Sequence, residues 1–129
     1  MNSILIIAHT PLASALKSAA LHAFPDAASR VDVIDVLPTQ APAITLETAR
    51  DLLAMERSAG ITGTLVMSDV FGATPCNVAQ QLVDGANVKC IAGASLPMLF
   101  RAITYWDTPL GVMAEKALAG GSQGAMELG

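Results

Sequence analysis

The pattern of apolar residues predicts an open, doubly wound α/β sheet, mainly parallel, with strands in the order 2-1-3-4 and helices on both faces. Two observations carry that expectation. Four short apolar runs of strand length alternate with stretches of helical spacing, and a strand-then-helix repeat calls for right-handed crossovers between parallel strands. The first run, Ser3-Ile4-Leu5-Ile6-Ile7-Ala8, is apolar without alternation, as in a strand covered on both faces. A chain of 129 residues, 53% apolar and 14% charged, has the interior for one such domain, residues 1–129.

After the first strand, Leu12, Leu16, Ala19, Ala20 and Ala23 recur at helical spacing, with Thr10 as N-cap, Pro11 in the first turn and Pro25 as the stop. Val31 to Val36 alternates with period two and reads as a strand with one more polar face, near an edge. Thr45 to Ala59 is an amphipathic helix closed by Gly60. Thr64 to Ser68 is a third, buried strand, followed by the loop Asp69-Val70-Phe71-Gly72-Ala73 and a helix opening at Thr74-Pro75. Val88 to Ala92 is the fourth strand, with a helix after Ser95-Leu96-Pro97. A last helix over Pro109 to Leu118 is expected to end at Gly120-Gly121, and Gly124 to Leu128 is expected to form a short C-terminal strand. No internal repeat or linker interrupts the pattern.

Composition excludes several classes. The net charge of −4, without a Lys/Arg cluster, argues against tracking a nucleic-acid backbone, which needs a concentrated positive face. Apolar stretches break well before the roughly 20 residues of a membrane helix, and the N-terminus has no basic region or cleavage site of an export signal. A cytoplasmic protein without membrane insertion is expected. Cys76 and Cys90 are too few for a disulfide scaffold or zinc site and too far apart for a redox pair. With His9 and His22 they make no metal-ligand spacing. The loop before Thr74-Pro75 lacks the Lys of a nucleotide-binding loop, and no G-x-G-x-x-G follows the first strand. No metal and no cofactor are therefore expected.

The residues with a catalytic address are His9 and Asp69, each at the carboxyl end of a predicted strand, where open α/β sheets place their working crevice. Either alone reads equally well as structural, His9 as a strand cap and Asp69 as a turn residue. In the order 2-1-3-4 their strands are neighbours, and the carboxylate can fix one imidazole nitrogen while the other keeps its lone pair for attack. Helix starts at Thr10-Pro11, Thr74-Pro75 and Leu96-Pro97 would offer backbone N–H groups to an anion. Such a set suits a phosphoryl acceptor, because phosphoryl transfer asks mainly for positioning and for donors to the equatorial oxygens. The candidate phosphoryl-binding residues are Thr10, Gly72, Ala73 and Thr74.

Three segments resemble the IIA component of the mannose (mannose/fructose/sorbose) class of the bacterial phosphoenolpyruvate-dependent sugar phosphotransferase system. They are Ala8-His9 with Leu12-Ala13 and Leu16 behind it, Asp69-Val70-Phe71-Gly72-Ala73-Thr74-Pro75-Cys76-Asn77-Val78-Ala79, and Gly93-Ala94-Ser95-Leu96-Pro97-Met98-Leu99. The resemblance implies that His9 accepts a phosphoryl group from the carrier HPr, that Asp69 orients it, that Thr74 lies near the phosphoryl group, and that a IIB protein is the acceptor. It also implies a homodimer in which the C-terminal strand crosses to the other subunit. Two residues depart from the pattern: Thr10-Pro11 stands where a Gly usually follows the His, and Ser95 where Asn is common. The chain ends without a IIB domain, so a separate acceptor is expected. Alternative readings are a regulatory reporter that binds a partner without sugar transport, the phosphocarrier of a dihydroxyacetone kinase, and a passive anion-binding domain.

Overall fold

Strand β1 (Asn2–His9) lies at the centre of the chain's only sheet because its side chains can be buried on both sides: Ile4 through Ala8 are fully buried. The computed structural model describes residues 1–129. Helix α1 (Leu12–Ala23) and a short 3-10 turn lead to β2 (Val31–Val36), then α2 (Pro42–Ser58), β3 (Gly63–Ser68), α3 (Thr74–Gln80), β4 (Val88–Ala92), α4 (Leu96–Thr104) and α5 (Leu110–Gly124). All strand pairs are parallel and the order is β2-β1-β3-β4, as the sequence predicts. The switch of direction falls between β1 and β3.

Alternation along the strands splits the core into two layers. Ile4, Ile6 and Ala8 join Leu65 and Met67 against α1, α4 and α5. Leu5, Ile7, Ile34, Val36, Val66 and Val88 face the other way, against α2 and α3. The edge position of β2 matches its mixed burial. Helix α2 ends in a paired C-terminal motif, with the N–H groups of Gly60 and Ile61 donating to Arg57 and Glu56 carbonyls. Its left-handed residue, at φ +91°, is Gly60, where a side chain would be strained.

Four boundaries differ from expectation. Pro11, not Thr10, occupies the N-cap of α1, and no side chain of its own caps that helix. Asp35 of β2 does so from outside: it accepts from the Ser14 N–H (3.1 Å) and the Ser14 hydroxyl. Helix α2 starts three residues early, at Pro42, because proline fits the first helical position. Ser95 is the N-cap of α4, its hydroxyl accepting from the Met98 N–H at 3.3 Å.

The fourth difference is the largest. Gly120 and Gly121 do not end α5 but sit inside it, because their missing side chains let α5 approach α4. A Cβ at Gly120 would stand 2.7 Å from Arg101 Cβ, one at Gly121 2.9 Å from Met98, and one at Gly124 2.5 Å from Pro97. The expected strand over Gly124–Leu128 is absent from the single chain: Gly124 completes α5, and residues 125–129 pair with no strand.

Candidate functional site

His9 closes β1 and Asp69 follows β3, so the sheet's switch point puts the two side by side at its carboxyl end. One carboxylate oxygen of Asp69, Oδ2, lies 2.6 Å from His9 Nδ1 and accepts the His9 backbone N–H at 3.0 Å. The other, Oδ1, accepts the Val70 N–H at 3.0 Å. Burial alone would raise the Asp69 carboxyl, but the hydrogen bonds from the His9 backbone and ring and the local backbone outweigh it and hold the group below its usual value. An ionised carboxylate only accepts hydrogen bonds, so Nδ1 carries the proton. The lone pair of the neutral ring then resides on Nε2.

The pair is asymmetric in exposure: 53% of the His9 side chain is open to solvent against 11% of Asp69. His9 forms part of a cleft of about 340 Å³ whose walls are the β2–α2 segment, with Val36, Leu37, Pro38, Gln40 and Pro42, and the start of α3, with Thr74 and Pro75. Gly72, at φ +88°, turns the loop between Asp69 and α3. Leu37 in the cleft wall is exposed, and so are Val70 and Phe71 in the loop that follows Asp69.

Among the candidate residues, His9 and Thr74 share the cleft, and Asp69 braces His9 from beside it. Thr10, Gly72 and Ala73 do not line the cleft; Thr10 is instead tied to β2 through its N–H and the Val36 carbonyl, 3.1 Å. The α1 N-terminus is less open to an anion than the sequence implies, since Asp35 already takes the Ser14 N–H and Pro11 has none to offer. Gln40 was not foreseen. Its signal in the sequence is only its place in a Pro-containing loop after a strand adjacent to β1. Burial, with Cys76 nearby, pushes the Cys90 thiol up to about 11, away from the thiolate form that attack requires. No three His, Cys, Asp or Glu side chains are grouped to hold a metal, and no helix is long and apolar enough to cross a membrane.

The chain is thus a doubly wound parallel α/β domain with a carboxylate-paired histidine at its switch point, the place where such folds hold their working crevice. The comparisons make it particular. Residues 3–116 match the family described as PTS system fructose IIA component, and the chain belongs to this mannose/fructose-class IIA family of the sugar phosphotransferase system. Its fold is that of solved IIA proteins. The mannose/sorbose-specific IIA subunit of Enterococcus faecalis superimposes with a TM-score of 0.83 at 20% identity, over 99% of this chain and 95% of that one. The EIIA component of Streptococcus agalactiae gives 0.79 at 21% identity, over 98% and 97%. A sigma-54 interaction domain protein of E. faecalis gives 0.73 at 13% identity, over 94% and 90%. No curated protein sequence matches the chain. IIA proteins act as phosphotransfer components, and at that level the family assigns this chain to transferase chemistry in sugar uptake.

Proposed function

We propose that the protein is a phosphocarrier that takes a phosphoryl group from phospho-HPr on His9 Nε2 and passes it to a IIB protein for sugar uptake. The observation that carries the reading is the 2.6 Å contact of Asp69 Oδ2 with His9 Nδ1, which leaves Nε2 as the nitrogen with a lone pair. In the transfer the Nε2 lone pair forms the new bond to phosphorus as the bond to the donor breaks and its electron pair returns to the donor. The positive charge that develops on the ring faces Asp69, which stabilises it without taking the proton. The Thr74 hydroxyl serves a phosphoryl oxygen.

Exposed Leu37 in the cleft wall, with exposed Val70 and Phe71 in the loop after Asp69, suits a protein donor and acceptor better than a free small molecule. The work takes place in the cytoplasm, where HPr and IIB are available. Met126 and Leu128 are exposed beyond α5, and β4 has an unpaired edge. In a homodimer, the tail of one copy pairing with the β4 edge of another would cover both.

Intact mass after incubation with phosphoenolpyruvate, enzyme I and HPr tests the reading. Wild type gains one acid-labile phosphoryl group and His9→Ala gains none; a folded wild type that gains none contradicts the proposal. A regulatory reading has one observation in its favour, the fold shared with the sigma-54 interaction domain protein. It predicts phosphorylation on His9 with no transfer onward to any IIB protein.

A further inference from the structure

Resting on the phosphocarrier reading, we propose that Gln40 is a second phosphoryl contact, facing Thr74 across the cleft and donating its side-chain amide to the group carried by His9. A phosphoryl group on Nε2 presents three equatorial oxygens that need donors as charge builds on them. Several of the donors nearest in sequence are missing or already engaged. Pro11 has no N–H, the Ser14 N–H and hydroxyl are spent on Asp35, and the Thr10 N–H is spent on the Val36 carbonyl. The histidine's own second nitrogen is held by Asp69.

The cleft supplies what the first helix does not. Of the side chains in the β2–α2 wall, Val36, Leu37, Pro38 and Pro42 are apolar, and Gln40 alone can donate. Its backbone N–H closes a turn onto the Leu37 carbonyl at 3.1 Å, which fixes where the side chain starts. Gln40 is half-buried, and its side-chain amide bonds to nothing in the protein. On the opposite wall, the Thr74 hydroxyl is likewise free. One N–H donor and one O–H donor thus line the cleft that holds the histidine. Glutamine has the reach and polarity for this as a neutral donor, without the stronger charge-assisted bond of a lysine or arginine.

The test measures how the phosphoryl group partitions at equilibrium between HPr and this protein, using wild type, Gln40→Ala and Gln40→Glu. Gln40→Ala shifts the partition toward HPr about tenfold, the loss of one hydrogen bond to a charged group. Gln40→Glu shifts it about a hundredfold, since a carboxylate adds like-charge repulsion at the same place. The 31P chemical shift of phospho-His9 moves in both variants, and thermal unfolding stays at the wild-type midpoint. If wild type is phosphorylated and both variants partition within about twofold of it, Gln40 makes no such contact and the carrier reading stands. Equal losses in Ala and Glu, with an unmoved 31P signal, also overturn the contact and leave Gln40 a packing role. If wild type is not phosphorylated at all, the carrier reading falls and this inference with it.

Discussion

The two ends of the sheet each hold a carboxylate that bridges strands, and their environments drive the two in opposite directions. At the carboxyl end Asp69 accepts from the His9 backbone, the His9 ring and the Val70 N–H. At the amino end Glu56 of α2 is only 7% exposed, and its Oε2 accepts from the hydroxyls of Ser3 (2.6 Å) and Thr64 (2.8 Å). Its Oε1 is buried without a donor. Burial first, and then the neighbouring Asp32 carboxyl, push Glu56 up to about 7, although the two hydroxyls work against the shift. Arg57 gives little relief: its Nη1 stands 3.9 Å away, and its guanidinium bonds to Thr64 and to the carbonyls of Ile61 and Asn87. The balance between burial and donor supply therefore decides the charge state. Several N–H donors outweigh partial burial and leave a carboxylate that stays ionised and can orient a histidine; deeper burial beside a second carboxyl outweighs two hydroxyl donors and leaves one that holds its proton near neutrality.

That contrast can be broken at either end, and the largest effect is expected at the histidine. Asp69→Ala frees the ring to take either tautomer and removes the charge opposite the developing imidazolium, so phosphoryl transfer slows about 10²–10⁴-fold; quenched-flow transfer from phospho-HPr measures it. The same variant separates stability from activity. Because the Asp69 carboxyl is lowered from 3.8 on folding, its contribution to stability is present above that value and is lost as pH falls through the folded-state value. The stability gap between wild type and Asp69→Ala therefore narrows in denaturant titrations below about pH 4.

Glu56 reverses the sign. Its folded value of about 7 lies above the ordinary 4.5, so the stability it lends is complete below 4.5 and is lost as pH rises through about 7. Glu56→Gln keeps the shape without the titration. Urea midpoints at pH 5 and pH 8 should show wild type losing up to about 3 kcal/mol relative to Glu56→Gln over that interval. A constant difference would mean that Glu56 does not change its charge there. The smallest effect is at Asp35: Asp35→Ala removes the cap of α1 and costs about 1 kcal/mol in chemical denaturation.

Much of this fold was legible because its signals are local. The unbroken apolar run of β1, the alternation of β2 and the helical spacings between strands give a doubly wound parallel sheet, for which the observed order β2-β1-β3-β4 is a common one, and that order brings His9 to Asp69. What the sequence concealed depends on partners distant in the chain. Gly120 and Gly121 read as a stop because glycine ends helices more often than it packs them, and only α4 beneath them shows otherwise. The cap of α1 comes from Asp35, 21 residues beyond Ser14, so Thr10 looked like the natural cap. Glu56 reads as one more polar position of an amphipathic helix until α2 is laid over Ser3 and Thr64. Gln40 carries no motif and acquires a candidate role only from the cleft wall it occupies.

The most direct test of the account is which nitrogen of His9 holds the phosphorus. In 15N-histidine-labelled protein phosphorylated through HPr, the account predicts that phosphorus couples to Nε2 while Nδ1 keeps its proton in the bond to Asp69. Coupling to Nδ1, or a phosphoryl group on any other residue, would contradict it, because the carboxylate would then not be selecting the nucleophile.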